Sequence, residues 1–530
     1  MEEGKWGWGS FGEIYGSFPD KIDFESFEVV ALSGNGDRLV VADPYAGNRY
    51  ETGVLQVFER VEGTPTWVQL GKDIVGISGG DRFGKEVSIT SDGGRIFVVA
   101  PGYDVDKSDD DDTPQVEVGR LRIFDYVDDD WAKVGQMTDV GTATMSGDGN
   151  RFVVGRPDKE GIGSAGVFAF DGKELTQLGG WIETDTIGDA FGDVVAINQD
   201  GSRIAVGASL YDMDGYPNPD ERDYYDDQGM NPESTCSKEN DNDENANFGL
   251  VRAYEFANGD WSQMGADMVG EVCDKFGSTI DMDADGARII VGAPEGDNFS
   301  PEGDNFRTAG RVRILDYNEG SWTNVGQVIE GENRLQQLGQ SVSISADGAR
   351  VMIATTKGWI GIKEHPVCVY ELVEDLWEVV GECIQRDIKD KCGVATISDS
   401  GLVVAFVCDR KGKKHEGGVR VFSYLDECMI AKNEWRLQRV DKIVDEYNEK
   451  EKRIEKNHVK ASEKKTVGMT EEFEECEDET CESEIALKMK KQLKRIDKKF
   501  DGKVETNEET LAQREVKCLE KFARKASRCE

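Results

Sequence analysis

Carboxylates crowd three stretches of this 530-residue chain. In the first stretch, Asp281, Asp283 and Asp285 alternate with Met and Ala and lead into Gly286. Carboxylate oxygens are the hard ligands that Ca²⁺ prefers, and a Gly permits the sharp turn that would wrap them around an ion. The spacing therefore makes a calcium site in a hairpin one candidate for chemistry.

The other two stretches are acidic insertions at about residues 103–117 and 210–247. They are candidates for binding a divalent cation or a basic partner, through Asp104, Asp106, Asp109, Asp212 and Asp214. Aromatic residues are enriched at interfaces, which favours partner contact by Tyr211, Tyr216, Tyr224 and Tyr225. Solvated loops are the alternative, because the charge density is high and core residues are few.

Catalytic motifs are absent from the sequence. The three histidines, His365, His415 and His458, are scattered and accompany no nucleophile motif. The Gly clusters fit turns rather than a phosphate-binding loop. Carboxylate pairs for glycoside hydrolysis are too numerous to choose among. We expect a protein that is not an enzyme, and a glycan-active enzyme remains an alternative.

Charge and hydropathy narrow the class of partner. The formal net charge of −42 argues against nucleic acid and anionic membrane surfaces. No apolar run approaches the ~20 residues of a membrane-spanning helix, so we expect no membrane span. The N-terminus lacks a signal-peptide core, which predicts either an intracellular protein or a chain that begins after a processed leader.

A repeated four-strand unit must position these carboxylates. Asp274–Gly331 contains strand-like pieces at Ser278–Asp283, Ala287–Gly292, Gly310–Tyr317 and Ser321–Ile329. Asp285-Gly286 forms a hairpin turn between the first two pieces. The first piece alternates polar with apolar residues, as in a half-exposed strand, whereas Arg288–Pro294 contains a continuous apolar run typical of a strand buried on both faces.

Seven such repeats follow one another along the chain. Six of the second strands begin with Arg, and most repeats end in a strand that carries Trp. Periods of about fifty residues built from four strands indicate an all-β, seven-bladed propeller, here over residues 1–440. Either the N-terminal strand within residues 1–23 or the segment Trp435–Val440 completes the last blade.

The repeated motifs resemble the FG-GAP family, which includes the propeller of integrin α chains. They are the Phe-Gly pairs of three repeats, a near match in a fourth and the Gly-Ala-Pro element of the fifth: Phe83-Gly84, Phe191-Gly192, Phe276-Gly277, Leu338-Gly339 and Gly292-Ala293-Pro294. The resemblance implies a non-enzymatic recognition scaffold, often on cell surfaces, with ligands bound on one face of the disc.

The resemblance also bears on calcium, because some family members bind Ca²⁺ through Asp-x-Asp-x-Asp-Gly-x-x-Asp. The motif's last Asp is replaced here by Ile289 directly after Arg288, and an arginine so close to the site would repel the metal. It could instead form a bidentate pair with the same turn aspartate. Five other repeats carry arginine at the equivalent position, Arg38, Arg95, Arg151, Arg203 and Arg350. We expect ion pairs in place of metals, with Ca²⁺ as the one cofactor to test.

Residues 441–530 differ from the repeats. Lys and Glu dominate, and apolar residues recur at three- and four-residue steps, which predicts a charged helical extension. Cys476, Cys481, Cys518 and Cys529 could form two disulfides within it, although the connectivity stays open. Disulfides favour an extracellular or lumenal location over the cytoplasmic alternative. The extension either packs on its own propeller or serves as an assembly arm.

The sequence thus predicts a structural or adhesive protein that binds other protein chains, either outside the cell or as a subunit of a larger assembly. A calcium- or carbohydrate-binding surface module is the second hypothesis.

Overall fold

The computed structural model describes residues 7–15, 29–46, 52–61, 66–103, 118–157, 161–184, 188–211, 247–271, 273–296, 298–299, 305–306, 309–333, 336–355, 367–384, 390–410 and 416–425, with isolated positions at 452, 453, 456 and 460. The chain divides into two compact units. One comprises Trp6–Val61 and Pro65–Tyr424, and the other comprises Met1–Lys5, Glu62–Thr64 and Leu425–Glu530.

The second unit contains few described residues. Lys452, Arg453, Lys456 and Lys460 are helical. The rest of the predicted extension, with Cys476, Cys481, Cys518 and Cys529, lies outside the described residues, so its helices and disulfides stay predictions.

Within the described residues, the first unit forms seven sheets of four or five strands and one separate hairpin. These sheets are the blades of the predicted all-β propeller. The strands nearest the axis are β2 (Val29–Leu32), β7 (Glu86–Ile89), β11 (Thr142–Met145), β15 (Val195–Ile197), β20 (Thr279–Met282), β27 (Ser341–Ile344) and β31 (Asp390–Ile397). The second strands are β3 (Arg38–Asp43), β8 (Arg95–Ala100), β12 (Arg151–Arg156), β16 (Arg203–Ala208), β21 (Arg288–Ala293), β28 (Arg350–Ala354) and β32 (Val403–Arg410).

The outer half of each blade follows the same order. The third strands are β4 (Val54–Arg60), β9 (Arg120–Val127), β13 (Ser164–Phe170), β17 (Leu250–Ala257), β24 (Arg311–Asn318), β29 (Val367–Val373) and β33 (Glu416–Leu425). The outermost strands are β5 (Trp67–Gln69), β10 (Asp130–Thr138), β14 (Leu175–Glu183), β18 (Asp260–Gln263), β25 (Ser321–Asn324), β30 (Leu376–Val379) and, in blade 7, β1 (Gly7–Tyr15).

Short strands supplement this plan. β6 (Ile74–Val75), β19 (Met268–Val269) and β26 (Ile329–Glu330) pair with third strands, and β22 (Asn298–Phe299) pairs with β23 (Asn305–Phe306). The predicted strand Ser321–Ile329 is therefore two strands. Gly326 interrupts it with a φ of 68°, a conformation in which a regular strand cannot continue.

The N-terminal strand closes the ring, since β1 is hydrogen-bonded to β33. One of the two predicted ways of completing blade 7 is thus the observed one. The competing segment, Trp435–Val440, lies outside the described residues. Joining the first and last strands of the propeller in one sheet closes the ring.

The core lies between blades. Each of the seven seams contains a buried apolar cluster of described residues contributed by the two blades that meet there. In β3, Leu39 and Val41 pack toward blade 7, whereas Val40 and Ala42 pack toward blade 2. Both faces of a second strand are therefore buried, which explains the continuous apolar runs in the sequence.

The arginine at the start of six of the seven second strands spans a seam, but its carboxylate partner differs from our prediction. Arg288 binds Asp316 on β24, through Nε to Oδ1 at 2.6 Å and Nη2 to Oδ2 at 2.8 Å. Its Nη1 donates to the carbonyl oxygen of Gly348 in the next blade at 2.8 Å. The turn aspartates do not hold this guanidinium, because antiparallel register places Asp316 directly opposite Arg288.

The arrangement recurs in other blades. Carboxylates opposite the arginine bind it in four more blades, through the pairs Arg38–Glu59, Arg95–Asp125, Arg203–Glu255 and Arg350–Glu371. Each arginine also donates to a turn carbonyl of the following blade, on Gly93, Gly149, Gly201, Asp285, Gly348 or Gly401. Arg151 lies opposite Ala169 and has the carbonyl contact. Blade 7 has Leu402 at this position.

Tryptophans of the outermost strands reach across the seams in the other direction. The Nε1 of Trp377 donates to the carbonyl oxygen of Val325 in blade 5 at 2.8 Å. Trp131, Trp261 and Trp322 donate in the same way to Leu70, Leu178 and Met264. These contacts explain why most repeats end in a Trp-bearing strand. In blade 3, Leu175 stands at the beginning of that strand, and Trp181 stacks on Arg156 instead.

The Phe-Gly pairs have a packing role. Phe83, Phe191 and Phe276 are fully buried. Gly277 has a φ of 93°, and a Cβ there would lie 2.9 Å from the carbonyl oxygen of Leu250. In such a pair, the phenylalanine fills space in the core, and the glycine occupies a position that has no room for a Cβ atom.

Candidate functional site

The first strands and their turns enclose a central channel with a volume of about 260 Å³. All seven blades contribute to its wall, and the carboxylates among its lining residues are Asp281, Asp283 and Asp399. A concave site with a few converging polar groups is the usual place for a ligand in a folded domain. The channel is therefore the candidate site in the described part of the chain.

The seven inner turns form a closed ring around one end of the channel. Each turn is hydrogen-bonded through its backbone to the turn of the next blade, from Gly34 to Ser91, Ser91 to Gly147, Asp148 to Gln199, Gln199 to Ala284, Ala284 to Ala346, Ala346 to Asp399 and Ser400 to Gly34. The N···O distances run from 2.8 to 3.4 Å. This ring fixes the diameter of the channel at that end.

Three side chains form an arc over the ring. Ser91 Oγ donates to Asp399 Oδ2 at 2.7 Å and accepts from Gln199 Nε2 at 3.3 Å. The intervening turns carry Gly34 and Gly147, where a Cβ would lie 2.3 Å from Asp399 Oδ2 and 2.7 Å from Ser91 Oγ. Glycine in two turns thus makes room for polar side chains from blades 2, 4 and 7, which narrow the channel.

Asp281 is engaged by the next blade. Its Oδ2 accepts hydrogen bonds from Ser343 Oγ and the backbone nitrogen of Ile344, both at 3.0 Å. Burial raises the pKa of Asp281 to about 6. The side chain is partly exposed, but it faces the channel rather than bulk solvent. Asp281 can therefore exchange a proton near neutral pH while it bridges blades 5 and 6.

Asp283 and Asp285 stabilise their own turn. Asp283 Oδ1 accepts from the backbone nitrogen of Arg288 at 3.0 Å, and Asp285 Oδ1 accepts from that of Ala287 at 2.9 Å. Burial raises the pKa of Asp283, and the nearby Asp285 adds to the effect. Among the described residues, no group of three or more His, Cys, Asp or Glu is placed to hold a metal. Calcium at Asp281, Asp283 and Asp285 stays a prediction without support from this geometry.

Most other predicted site residues lie outside the described part of the chain. These are Asp104, Asp106, Asp109, Asp212, Asp214, Tyr216, Tyr224 and Tyr225. Tyr211 is described, and it packs partly buried against the core between blades 3 and 4. Val118 donates from its backbone to Tyr103, and Gly249 to Tyr211. The described flanks of both insertions follow second strands at equivalent positions, but the insertions themselves lie outside the described residues, and a shared rim of the disc stays a prediction.

Sequence reasoning missed the polar residues that line or cross the channel. Ser91, Gln199 and Asp399 occupy the same turn position in three different repeats, where other repeats have Gly or Ala. Glu86 was also missed; its Oε2 accepts from Thr142 Oγ1 at 2.7 Å and from the backbone nitrogen of Ala143 at 2.9 Å. The sequence held a signal for Ser91, Gln199 and Asp399, because an alignment of the seven repeats shows polar residues at a turn position that is otherwise Gly or Ala.

Described cysteines include one complete disulfide, between Cys368 and Cys383 in blade 6. In the part of the chain that is described, no helix is both long and apolar enough to cross a membrane.

Comparison with known proteins identifies no family. No family model matches the sequence. No curated protein matches it either.

Solved structures with a related architecture include U3-55K, at a TM-score of 0.44 and 10% identity, covering 78% of this chain and 100% of that one. A putative 6-phosphogluconolactonase from Bacteroides uniformis has a TM-score of 0.43 and 10% identity over 74% of this chain and 95% of its own. The periplasmic gluconolactonase PpgL from Pseudomonas aeruginosa has a TM-score of 0.39 and 12% identity, covering 68% of this chain and 84% of that one. Similarity at this level supports no argument about function.

Proposed function

We propose that this chain is a non-enzymatic scaffold that binds other protein chains, with the propeller as a recognition disc and residues 441–530 as an assembly arm. The observation that carries the proposal is the repetition of the same arginine and tryptophan contacts at successive seams. Side chains used in this way make the disc rigid, and a rigid scaffold leaves recognition to its loops. FG-GAP membership and an oxidising compartment belong to the same proposal, the second supported by the disulfide Cys368–Cys383.

The net charge of −42 directs the choice of partner toward basic protein surfaces and away from nucleic acid. Native mass of the endogenous protein in a gentle extract tests the proposal. We expect migration well above 58.7 kDa with defined companion chains. Deleting residues 441–530 should release those companions, whereas Lys72→Ala on the disc should retain them. A clean monomer in the gentle extract would refute the scaffold function.

A calcium- or carbohydrate-binding surface module is the second candidate. It is favoured by the equivalent positions of the two insertions in their repeats, since the described flanks of both follow second strands and carboxylates on a shared rim could act together. A rise in melting temperature on adding Ca²⁺, reversed by EDTA and lost when residues 104–112 are replaced by a Gly/Ser linker, would support this candidate. An unchanged melting temperature in Ca²⁺ and in a glycan panel would exclude it.

A further inference from the structure

One position of the third strand has a side-chain partner in four blades. It is the residue opposite the fourth residue of the second strand, and we call it the cross-strand position. Its occupants in blades 1, 2, 4, 5 and 6 are Gln56, Arg122, Arg252, Arg313 and Cys368. In blade 4, Nε and Nη2 of Arg252 donate to the two carboxylate oxygens of Asp267 at 2.9 and 2.8 Å. The partners in blades 1, 5 and 6 are Asp73, Asn324 and Cys383.

Arg122 in blade 2 is the exception. Its side chain is 4% exposed, and among the described residues its Nε and Nη2 have no hydrogen-bond partner. These are the same two atoms through which Arg252 holds Asp267. The guanidinium lies over the ring of Phe83, 3.8 Å from the centroid. Arg122 is therefore held in place by stacking while its hydrogen-bonding edge is unused.

Arg122 keeps its charge at neutral pH. Burial and the neighbouring Arg120 lower its pKa to about 10, which leaves the guanidinium protonated. The buried carboxylate of Asp81 is paired with Arg120 at 3.3 Å. A buried charge without a partner costs free energy, and a guanidinium that is already removed from water and fixed in position binds an incoming anion at a smaller cost.

The residues beside Arg122 on the outermost strand are open to solvent. Gln136 on β10 is the register partner of Arg122, and it stands where blade 4 has Asp267, next to the register pair of β17 and β19. Gln136 is exposed, and its Oε1 accepts from Nζ of the exposed Lys133 at 2.9 Å. Exposed side chains change rotamer within nanoseconds. The position opposite Arg122 can therefore be reached from solvent, and Lys133 adds a second positive charge beside it.

We propose that Arg122 and Lys133 form a binding site for the carboxylate group of a small organic acid. The carboxylate accepts from Nε and Nη2 of Arg122, as Asp267 does from Arg252 in blade 4. A planar carboxylate matches the edge of a guanidinium through two parallel hydrogen bonds. The site belongs to the third and outermost strands of blade 2, so it is separate from the central channel.

Equilibrium dialysis of the full-length protein with radiolabelled malonate tests the site. We expect saturable binding to the parent protein. Gln136→Glu places a carboxylate of the chain itself opposite Arg122 and should weaken malonate binding by at least about tenfold. The matched control is Gln177→Glu, the same substitution at an exposed position on the outermost strand of blade 3, where the register partner is Phe168. The control should bind malonate like the parent protein.

Melting temperatures without added ligand give a second readout. Gln136→Glu should melt higher than the parent protein, because its carboxylate pairs with the buried guanidinium, whereas Gln177→Glu should not. A parent protein that binds no malonate would overturn the proposal even if Gln136→Glu is more stable, since Arg122 would then only lack an internal partner. Equal malonate binding by the parent and Gln136→Glu would also overturn it. Tighter binding of inorganic phosphate than of malonate would overturn the assignment to a carboxylate.

Discussion

Arg288 and Asp316 are joined by two parallel hydrogen bonds of 2.6 and 2.8 Å, and they are direct neighbours across two antiparallel strands. The same guanidinium reaches the backbone of Gly348 in the next blade and lies over the ring of Trp377. The Arg288 side chain thus connects two strands of its own blade, the turn of the next blade and the ring of Trp377. Arginine–carboxylate pairs of the same kind recur in four other blades, so their contribution to stability can be tested by substitution.

Arg288→Ala should destabilise the propeller by about 1–3 kcal/mol, because it leaves a half-buried carboxylate and a turn carbonyl without their donor. Chemical denaturation measures the change. Lys72→Ala is the matched control, since the pair Lys72–Asp130 also bridges two blades but its lysine is 85% exposed. The control should be indistinguishable from the parent protein. Equal losses in both variants would show that the arginine contact is no stronger than a surface pair.

Trp377→Phe should cost about 1–2 kcal/mol, because it removes the hydrogen bond to Val325 while retaining an aromatic ring in the seam. The free energy of unfolding from urea titration measures it. Trp181→Phe is the comparison, because Trp181 stacks on Arg156 within blade 3. A loss at Trp377 no larger than that at Trp181 would argue against a special contribution from the indole N–H.

The space beside Trp377 gives a second test. Gly326 and Gly320 both have positive φ, at 68° and 85°. A Cβ on Gly326 would lie 2.7 Å from Trp377 Cδ1, whereas a Cβ on Gly320 would meet nothing within 4 Å. Both Ala variants share the backbone strain, so the difference between them isolates the steric clash. We expect Gly326→Ala to be less stable than Gly320→Ala by about 1–3 kcal/mol, measured by thermal and urea unfolding.

Stability should depend on pH through Asp281. Burial raises its folded-state pKa to about 6, above the usual value of 3.8 for an aspartate. A raised carboxyl pKa contributes stability that is fully present below the unfolded pKa and is lost as the pH rises through about 6. Asp193, whose pKa burial also raises to about 6, acts in the same direction. The propeller should therefore lose stability between pH 4 and 7.

Asp281→Asn isolates the contribution of this residue. Asparagine can still accept from the backbone nitrogen of Ile344 but carries no charge. The stability difference between the variant and the parent protein should change in favour of the variant by roughly 1–3 kcal/mol across the titration, with channel water reducing the effect. A difference that is constant from pH 4 to pH 8 would contradict the raised pKa.

Ring closure predicts a role for the first residues of the chain. Deleting residues 1–15 removes β1 and leaves β33 as an uncovered edge in blade 7. We expect a lower melting temperature and concentration-dependent association, since uncovered edges pair with other chains. Deleting residues 1–5 is the control, because β1 begins at Gly7. Light scattering and thermal unfolding distinguish the two deletions, and identical behaviour would show that β1 is dispensable.

The local pattern of the sequence predicted most of the propeller architecture. Turn residues and apolar runs located strands of the fifth repeat to within one residue, since the predicted pieces Ala287–Gly292 and Gly310–Tyr317 correspond to β21 (Arg288–Ala293) and β24 (Arg311–Asn318). This succeeded because turn chemistry and burial on both faces of a strand act over a few residues. The identity of the closing strand was not decided in this way, since β1 and β33 are the first and last strands of the propeller and lie far apart in sequence.

The partners of the charged residues were decided by the tertiary structure. The sequence indicated that Arg288 forms an ion pair, but it suggested the neighbouring turn aspartate rather than Asp316, 28 residues away. Likewise, the contact between Ser91 and Asp399 joins residues 308 positions apart. Strand register and ring closure determine such contacts, and neither leaves a signal in local sequence. The sequence therefore showed which charged and polar residues are present at each blade, and the arrangement of seven blades around one axis decided which of them meet.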